Sequence, residues 1–555
     1  MALDLYKKDE FKKSKKNKKS YDEVIKDIVT DDFPLNPLEL VGELSFDDPA
    51  TLAETDKLPR SDVQEFYRDA SIFITGGTGF MGKMLIEKLS RSCPHLKHIY
   101  LLIRNKKGKD VNERIDAIFE DRLFMRLKHE RPKFYHKISA IAGDVSLPGL
   151  GISPRDRQEL AKNVNIVFHA AATIRFDEHI RTAININVLG TREIINLAKE
   201  MTNLKSCMYV STAFANCVHS KIEEKFYGAP YNYNGVISLV TSANDDKKLE
   251  DITPSLTAGW PNTYTFTKAL AEDLAKHESV GLPFGIFRPS VVISTYNEPV
   301  RGWIDNVYGP IGMIVGVGAG VLHTHHCDVT KVVDLVPVDL VVNALICSAY
   351  KVSNTTQKIE SEPPIFNYVS SKQNPISLEK FFEVIKKYGL PNWPTINAVW
   401  YYSFMPTNNP YLYSLLFLLF HTIPGYFLDF LCQITGRKPI LTNIYRKMKK
   451  ANAALSFFAN NQWEFNDNNT GTLWKNMSES DKKIFFFDIK EMSWDYYARA
   501  CAIGLRLYLV KDDIHTLKNA RIKWEKLRKA HLLLKTITAI IFLRICWFIV
   551  EMCFN

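Results

Sequence analysis

The stretch TGGTGFMG at residues 75–82 constrains the fold more than any other, because of what lies on either side of it. The apolar run ASIFIT at 70–75 has the character of a buried strand, and the segment that begins at Phe80 has helical periodicity. Glycines at this spacing allow backbone N–H groups and a helix N-terminus to approach a pyrophosphate. The stretch therefore predicts a strand–turn–helix unit that binds a dinucleotide, although similar turns also occur for purely structural reasons.

Further apolar runs alternate with helical segments after this unit. They lie at 98–104, 137–145, 165–171, 207–212 and 284–290. Continuous apolar runs suit strands that are buried on both faces, with helices as the crossovers. The pattern predicts an α/β fold built on a Rossmann-type, doubly wound parallel sheet.

The length and charge distribution divide the chain into several parts. A chain of 555 residues exceeds what one core usually organises, and its net charge of +10 is concentrated near its two ends, which argues against a nucleic-acid surface. Nine cysteines without paired spacing predict a reducing, cytosolic surrounding. We expect a basic, solvated N-terminal extension at 1–60, a dinucleotide-binding domain at 66–350, a mostly helical domain at 351–530 and a hydrophobic anchor at 531–555. A membrane or partner contact is the alternative for the N-terminal extension.

Arg104 and Lys107 follow the second predicted strand, where an acidic residue would bind the ribose 2′-hydroxyl of NADH. A cation at this position favours the 2′-phosphate of NADPH. The alternative is that both side chains are simply exposed to solvent.

Tyr264 and Lys268 stand four residues apart in YTFTK, at the start of a predicted helix, so they share one face of it. A tyrosine hydroxyl is a poor acid or base at neutral pH unless a nearby cation favours the tyrosinate, and Lys268 could supply that charge. Ser211 and Thr212 end the fifth predicted strand, at the sheet edge where ligands bind. One of these hydroxyls could hold a substrate carbonyl oxygen, and helix capping is the alternative for each.

Several motifs together resemble those of a known superfamily. TGGTGFMG, GDV, HAAA, NVLGT, VSTAF, YTFTK and RPS resemble the extended short-chain dehydrogenase/reductases. TGFMGK, PVRGWIDNVYGPIG (299–312) and DLVPVDLVVNALI (334–346) resemble specifically the alcohol-forming fatty acyl-CoA reductases. The likeness covers residues 66 to about 530, since HTIPGYFLDF, GRKPILTNIYRKMKK and FDIKEMSWDYY resemble that family's C-terminal domain.

This resemblance implies NADPH-dependent reduction of a long-chain or very-long-chain fatty acyl-CoA to a primary alcohol and CoA, through an aldehyde and two hydride transfers. Tyr264, Lys268 and either Ser211 or Thr212 would carry the chemistry. The implied cofactor contacts are Thr75, Gly76, Gly77, Thr78, Gly79, Phe80 and Gly82 at the pyrophosphate, Arg104 and Lys107 at the 2′-phosphate, Asp144 and Val145 at the adenine, Ala170 and Ala171 at the inner ribose, Asn187 at a structural or relay position, and also Tyr264, Lys268, Pro289 and Ser290.

Two other functions remain open at this point. An aldehyde-forming or steroid-type membrane-bound reductase would share the nucleotide motifs but would not be expected to carry the 299–346 region. A non-catalytic NADPH-binding scaffold protein is disfavoured because Tyr264 and Lys268 are both present.

Two apolar segments in the C-terminal part suggest contact with a membrane. The first, at 411–432, is interrupted by His421, Pro424 and Asp429, so it could span, dip into the membrane or form a core helix. The second, at 531–555, follows a basic stretch, which by the positive-inside rule keeps the catalytic part cytosolic. A soluble amphipathic helix is the alternative for this second segment. The terminal CFN is no organelle address, which leaves the endoplasmic reticulum and the peroxisome surface both open.

The stretch LHTHHCD contains three histidines and a cysteine, His323, His325, His326 and Cys327, and so resembles a metal site. These side chains cannot readily converge on one ion from a single strand, and no second ligand cluster is apparent. We expect no metal, and we expect a loop near the substrate channel instead.

Overall fold

A computed structural model describes residues 60–105, 110–229, 231–257, 259–354 and 362–554. The predicted N-terminal extension at 1–60, apart from Arg60, and the predicted cofactor residue Lys107 lie outside the described residues.

The centre of the molecule is a parallel sheet, as the sequence predicts. In the described part of the chain it has seven strands, in the spatial order β12-β7-β5-β4-β1-β2-β3. The strands, including short ones outside this sheet, are β1 Ser71–Thr75, β2 His98–Ile103, β3 Ile138–Ala142, β4 Ile166–His169, β5 Ser206–Val210, β6 Lys221–Ile222, β7 Phe284–Pro289, β8 Val291–Ile293, β9 Thr324–His326, β10 Val332–Val333, β11 Leu335–Pro337, β12 Ile365–Tyr368, β13 Ile376–Ser377, β14 Met405–Thr407 and β15 Glu464–Phe465. The reversal of strand order beside β1 places a ligand crevice at the carboxyl ends of β1 and β4.

The edge strand β12 was missed by the sequence interpretation. It pairs in parallel with β7, with Ile365 opposite Ile286 and Tyr368 opposite Pro289. A four-residue run gives little periodicity to recognise. The sheet therefore continues past the boundary expected at 350/351.

Helices cover both faces of this sheet and form most of the C-terminal region. They are α1 Asp62–Phe66, α2 Phe80–Ser92, α3 Val111–Phe119, α4 Met125–Glu130, α5 Pro154–Asn163, α6 Ile180–Ala183, α7 Gly190–Glu200, α8 Tyr233–Ser242, α9 Asp246–Leu256, α10 Thr263–Glu278, α11 Pro310–Gly318, α12 Val338–Ser353, α13 Leu378–Tyr388, α14 Pro410–Phe417, α15 Ile423–Ile434, α16 Leu441–Asn460, α17 Asn468–Lys475, α18 Glu479–Ile484, α19 Trp494–Gly504 and α20 Leu517–Phe554. The π-helical turn Ile184–Leu189 joins α6 to α7, and another, Leu418–Thr422, joins α14 to α15.

Each face of the sheet contributes to a separate apolar core. Ile72 and Ile74 of β1 join the core that includes α2 and α12, whereas Phe73 joins the core that includes α10. Alternate residues of a strand point to opposite faces, so the run SIFIT serves both cores. The first turn after β1 is thereby fixed relative to α2 and α10.

The two apolar C-terminal segments are helical and exposed. The run from Pro410 to Ile434 and the helix that ends near Cys553 are both long and apolar enough to cross a membrane. An ordinary core helix is therefore the wrong interpretation of 411–432, because large side chains such as Tyr426 and Phe430 are exposed. Helix α20 leaves the body of the protein near His531, whose ring accepts a hydrogen bond from the Trp400 indole at 3.0 Å.

Candidate active site

The turn after β1 is closed by glycines at positions where a side chain would not fit. Gly76 has φ +76°, and a Cβ there would lie 2.8 Å from the backbone of Ala170 and Ala171. A Cβ on Gly82 would lie 2.1 Å from the carbonyl oxygen of Gly76. The glycines thus let β1, the start of α2 and the end of β4 approach one another.

This turn fits a pyrophosphate at the N-terminus of α2. Gly79 caps the helix without a side-chain hydrogen bond, so the first N–H groups of the helix have no side-chain acceptor at the cap. Gly77 packs beneath the turn, where a Cβ would lie 3.2 Å from Ile86 and Leu101 side chains. The predicted residues from Thr75 to Gly82 are therefore assembled in one turn, as a dinucleotide requires.

His169, at the end of β4, orders a chain of hydrogen bonds beneath the crevice. Its Nδ1 lies 2.8 Å from the Thr75 hydroxyl, and its Nε2 lies 3.1 Å from the Thr191 hydroxyl. Thr191 donates to the carbonyl of Asn187 at 2.8 Å, so its oxygen accepts from His169, whose proton is on Nε2. Burial, assisted by the charge of Lys268, lowers the pKa of His169 to about 3. Sequence reasoning missed this residue, although a histidine that ends an apolar strand was a usable signal.

Asn187 connects the loop after β4 to the helix that carries Tyr264. Its Oδ1 accepts from the Thr173 N–H at 2.9 Å, and its Nδ2 donates to the Thr267 hydroxyl at 2.9 Å. Thr267 lies on α10, and its hydroxyl donates to the Tyr264 carbonyl at 3.0 Å. Asn187 is thus a link between elements, and its amide is occupied by these partners.

Tyr264 lies in the first turn of α10, half-buried beside Thr212. Its ring stacks on Phe176 with centroids 6.0 Å apart. Burial raises the pKa of Tyr264 to about 12, and a hydrogen bond with the Thr212 hydroxyl acts in the opposite direction. The expected lowering of this pKa by Lys268 is not found, since desolvation dominates and the Lys268 Nζ is hydrogen-bonded to Val210 and Tyr209 instead. In this structure Tyr264 is a neutral phenol at physiological pH, which makes it a proton donor.

Lys268 is buried and points toward the end of β5. Its Nζ donates to the Val210 carbonyl at 2.7 Å and to the Tyr209 hydroxyl at 3.3 Å. Burial lowers the pKa of Lys268 to about 7, although the Glu272 carboxylate opposes this. A cation here is costly by itself, and an added hydroxyl acceptor would stabilise it.

Ser211 and Thr212 are adjacent in the chain but have different partners. The Ser211 hydroxyl donates to the Glu272 carboxylate at 2.5 Å. That carboxylate also accepts from Arg288 at 2.7 and 2.8 Å and from Asn216 at 3.2 Å, all within the protein interior. Ser211 is thereby held in a buried ionic network, whereas Thr212 faces Tyr264. The geometry favours Thr212 as the hydroxyl available to a ligand.

The adenine end of the predicted site lies at the carboxyl ends of β2 and β3. Arg104 is exposed, and its Nε lies 3.9 Å from the Asp144 carboxylate. Asp144 accepts from the Ser146 N–H and hydroxyl at 2.9 and 2.8 Å, and Val145 is buried against Gly190. The two ends of the expected cofactor site are thus on one edge of the sheet.

Pro289 ends β7 at the same edge, and Ser290 follows it. The Pro289 carbonyl accepts from the Ala213 N–H at 2.9 Å, which aligns β7 with the segment after β5. The Ser290 hydroxyl is buried and has no hydrogen-bond partner within the described residues. A buried hydroxyl without a partner fits a ligand group that would bind it.

The segments TGFMGK and VRGWIDN, far apart in the sequence, contact each other directly. Phe80 stacks on Trp303 with centroids 5.2 Å apart, and the Trp303 indole donates to Asp121 at 2.9 Å. Lys83 bridges Asp121 and Asp305 at 3.0 and 2.8 Å. These contacts bind α2 to the region after β7.

Helix α16 brings the C-terminal region to the side of Tyr264. Phe458 contacts Phe176 with centroids 5.4 Å apart, and Phe176 is the ring that stacks on Tyr264. Lys450 pairs with Asp177 at 2.8 Å. Residues of α16 therefore form part of the surroundings of the site.

The histidine-rich stretch forms the short strand β9, so the expected loop is wrong. β9 pairs with β14 through the register of Thr324 with Met405 and His326 with Thr407. His323 is hydrogen-bonded to the Ser403 carbonyl, and His326 to the Asn408 carbonyl. Within the described ranges no group of three potential ligand side chains could hold a metal ion.

Family models match most of the described protein. The NAD-binding domain of male sterility protein matches residues 74–345, and the Sterile domain of male sterility protein matches residues 420–512. The first match agrees with a nicotinamide dinucleotide in the glycine-rich turn.

Relatives with established names are similar over nearly their whole length. Fatty acyl-CoA reductase wat of Drosophila melanogaster is 43% identical over 490 residues, which is 88% of this chain and 93% of that protein. Fatty acyl-CoA reductase 2 of Mus musculus is 36% identical over 87% of this chain and 93% of its own length. Fatty acyl-CoA reductase 1 of Xenopus laevis is 36% identical over 89% of this chain and 97% of its own length.

Solved structures share the fold. The reductase domain of a non-ribosomal peptide synthetase from Mycobacterium tuberculosis has a TM-score of 0.52 at 18% identity, over 85% of this chain and 99% of that chain. The terminal R domain of the myxalamid biosynthetic pathway has a TM-score of 0.51 at 20% identity, over 83% of this chain and 98% of its own. At these identities the likeness concerns architecture alone, but the sequence relatives and family models go further: this chain belongs to the fatty acyl-CoA reductase family.

Proposed function

We propose that this protein reduces a long-chain or very-long-chain fatty acyl-CoA to the primary alcohol and free CoA, with two NADPH consumed and an aldehyde formed between the two reductions. The observation that carries the proposal is the placement of Tyr264 beside Thr212, with Lys268 one turn along α10, at the edge of the sheet that holds the glycine-rich turn. The names of the relatives supply the substrate class.

The turn from Thr75 to Gly82 and Lys268 would hold the cofactor, which would supply the hydride for both reductions. The N–H groups at the start of α2 would bind its pyrophosphate. The Lys268 ammonium would donate to the nicotinamide ribose, which would replace the hydration that burial removes from this cation. The Ser290 hydroxyl, which has no partner within the described residues, would bind the nicotinamide end.

Thr212 and Tyr264 stabilise the oxygen on which charge develops. As the thioester carbonyl is reduced, both hydroxyls donate to the tetrahedral oxyanion until the CoA thiolate departs. In the second reduction the aldehyde oxygen becomes an alkoxide, and the Tyr264 hydroxyl transfers its proton to that oxygen. The raised pKa of Tyr264, about 12, keeps this proton in place at neutral pH until the alkoxide forms.

The preference for NADPH rests on Arg104, exposed at the end of β2 beside Asp144. Its guanidinium matches the 2′-phosphate by paired hydrogen bonds. Arg104→Ala is expected to lower the preference for NADPH, measured as kcat/KM with NADPH divided by kcat/KM with NADH, by about tenfold or more. Lys97→Ala, at the other end of β2, is the control and leaves that ratio unchanged; an unchanged ratio in both variants would contradict the assignment.

Product analysis tests the reaction itself. The purified full-length chain is incubated with NADPH and a series of acyl-CoA chain lengths, and the lipid products and NADPH consumption are measured. Alcohol with two NADPH consumed per molecule supports the proposal. Aldehyde alone would identify an aldehyde-forming reductase instead, and absence of turnover with every substrate would favour a non-catalytic NADPH-binding protein.

The C-terminal helix provides the membrane anchor in this proposal. Beyond His531 the side chains of α20 are almost all exposed, and most of them are apolar. Lys526, Arg528 and Lys529 precede this segment and, by the positive-inside rule, support a cytosolic catalytic part. Arg544 within the segment costs about 2.5–3.5 kcal/mol if it lies at the centre of the bilayer. Retention of the full-length protein in membranes after alkaline extraction is the expected result.

A further inference from the structure

The helical run from Pro410 to Ile434 is fixed to the protein by one narrow stripe that extends from Phe417 to Asp429. The buried positions are Phe417, His421, Gly425 and Asp429, four residues apart. His421 accepts a hydrogen bond from the His323 N–H at 3.0 Å, and a Cβ on Gly425 would lie 2.8 Å from the Tyr445 ring. Residues at this spacing lie on one side of a helix. The remaining sides of the run are therefore turned away from the protein.

The outward sides are apolar and exposed to solvent. Tyr426 is 65%, Phe427 60% and Phe430 57% exposed, in a run without an exposed charged residue. An exposed apolar patch of this kind marks a surface that contacts another protein, a ligand or a membrane.

The attachment argues against a transmembrane orientation for this run. Asp429, on the buried stripe, accepts from the N–H groups of Ile440, Leu441 and Thr442 at 2.9–3.0 Å, and so caps α16. In a spanning orientation the His323 N–H that binds His421, near the middle of the run, would have to enter the hydrocarbon interior with it. A helix that is attached lengthwise can instead lie in the plane of a membrane surface.

A cluster of cations follows the apolar run. Arg437 and Lys438 lie in the connection to α16, and Arg446, Lys447 and Lys449 lie on α16 itself, all exposed. Lysine is depleted at protein–protein interfaces, whereas lysine and arginine both match the phosphates of anionic lipids. The charge of this cluster, with three lysines among its five cations, thus favours an anionic lipid surface over a protein partner.

We propose that the run Pro410–Ile434 is a membrane-surface helix, which lies in the interfacial layer of an anionic phospholipid bilayer with its exposed apolar sides toward the acyl chains. The basic cluster at 437–449 binds the headgroup phosphates. This contact is separate from the anchor beyond His531 and does not depend on the reaction catalysed. Because α16 connects the basic cluster to Phe458 beside Phe176, the bilayer contact and the surroundings of Tyr264 share one helix.

Lipid photolabelling of the full-length protein tests this proposal. The protein is bound to vesicles that contain a photoactivatable phosphatidylcholine, with or without phosphatidylserine, and the labelled peptides are mapped. We expect label in peptides from 410–434 as well as from 531–553. The yield at 410–434, relative to that at 531–553 in the same sample, is expected to rise severalfold with phosphatidylserine.

Two matched variants isolate the basic cluster. The quadruple change Arg437→Glu, Lys438→Glu, Arg446→Glu and Lys447→Glu is expected to abolish the rise with phosphatidylserine. The control variant reverses the same number of charges on the nucleotide-binding domain. It carries Lys199→Glu, Lys205→Glu, Lys247→Glu and Lys248→Glu, and its labelling at 410–434 is still expected to rise with phosphatidylserine. Near-ultraviolet circular dichroism confirms that each variant is folded.

Three outcomes would overturn the proposal. Label confined to 531–553 would show that the bilayer does not cover the run 410–434. Equal labelling of 410–434 with neutral and with anionic vesicles would show that the basic cluster does not bind headgroup phosphates. Cross-linking of 410–434 to a second copy of the chain, with lipid label absent there, would identify a protein interface instead.

Discussion

Helix α10 and the run Pro410–Ile434 differ in which side chains they bury and which they expose. In α10 the buried side chains include Lys268 and Glu272, and each has hydrogen-bond partners. In the run 410–434 a single stripe is buried and the large apolar side chains are outside. The first arrangement shifts pKa values and fixes hydroxyl positions within the protein. The second leaves apolar area that a bilayer can cover. The following experiments test this contrast, from the largest expected effect to the smallest.

The largest effect is expected where the site touches the substrate. Tyr264→Phe removes the proton donor and one oxyanion donor, so alcohol formation should fall by about 10²–10⁴-fold. Tyr411→Phe, in the exposed run, is the control and should leave the rate unchanged. NADPH binding, followed by fluorescence, should persist in both variants. Normal alcohol yield from Tyr264→Phe would remove Tyr264 from the mechanism.

The buried ionic network beneath the site should matter for stability. Arg288→Met leaves the Glu272 carboxylate buried without its main partner, and it is expected to lower the free energy of unfolding by about 3–5 kcal/mol. Arg157→Met breaks the more exposed pair with Glu200 and should cost only about 0.2–1 kcal/mol. Chemical denaturation measures both values. Similar losses in the two variants would mean that burial of the network contributes little.

Substitutions at the adjacent residues Ser211 and Thr212 should affect different measured properties, stability for Ser211 and kcat for Thr212. Thr212→Val removes an oxyanion donor, and it should lower kcat by about 10²-fold with little change in stability. Ser211→Ala removes a hydrogen bond to the buried Glu272 carboxylate, and it should lower the free energy of unfolding by about 1–3 kcal/mol with kcat nearly unchanged. The reversed pattern would assign the catalytic hydroxyl to Ser211.

The low pKa of Lys268, about 7, predicts a pH dependence of cofactor affinity. Below this pKa the ammonium is charged in the free enzyme and donates to the ribose; above it, a proton must be taken up on binding. Affinity for NADPH should therefore fall as the pH rises from 7, by up to about tenfold per pH unit. Titration calorimetry at several pH values measures this. Lys268→Met should bind more weakly and without that dependence, and a pH-dependent Lys268→Met would assign the dependence to another group.

The smallest effect is expected on the exposed helix. Phe427→Ser should change the free energy of unfolding in detergent by less than about 0.5 kcal/mol, because the ring makes little contact with the protein. Phe266→Ala in α10 should cost about 3–5 kcal/mol, since that ring is fully buried. A comparable loss from Phe427→Ser would mean that the protein itself covers this side chain.

The main sheet was predictable because most of its strands are continuous apolar runs separated by helical segments, and this pattern is visible in the sequence itself. Strand β12 was missed, since four residues carry too little periodicity. The stretch at 323–327 was expected to be a loop, but pairing with Met405–Thr407 makes its centre a strand, and the partner lies far away in the sequence. The pKa of Tyr264 was also misjudged, because desolvation depends on neighbours that spacing along a helix does not reveal.

The sequence by itself determined the parallel sheet, the glycine-rich turn and the grouping of Tyr264 and Lys268 on one helix, because each depends on local spacing. Only the tertiary structure decided that Ser211 is held by Glu272 while Thr212 faces Tyr264, and that the run Pro410–Ile434 is attached along one stripe. These outcomes depend on contacts between segments far apart in the chain. The hydrogen-bond partners and the burial of a side chain depend on which segments fold against it, and local sequence patterns do not show which segments these are.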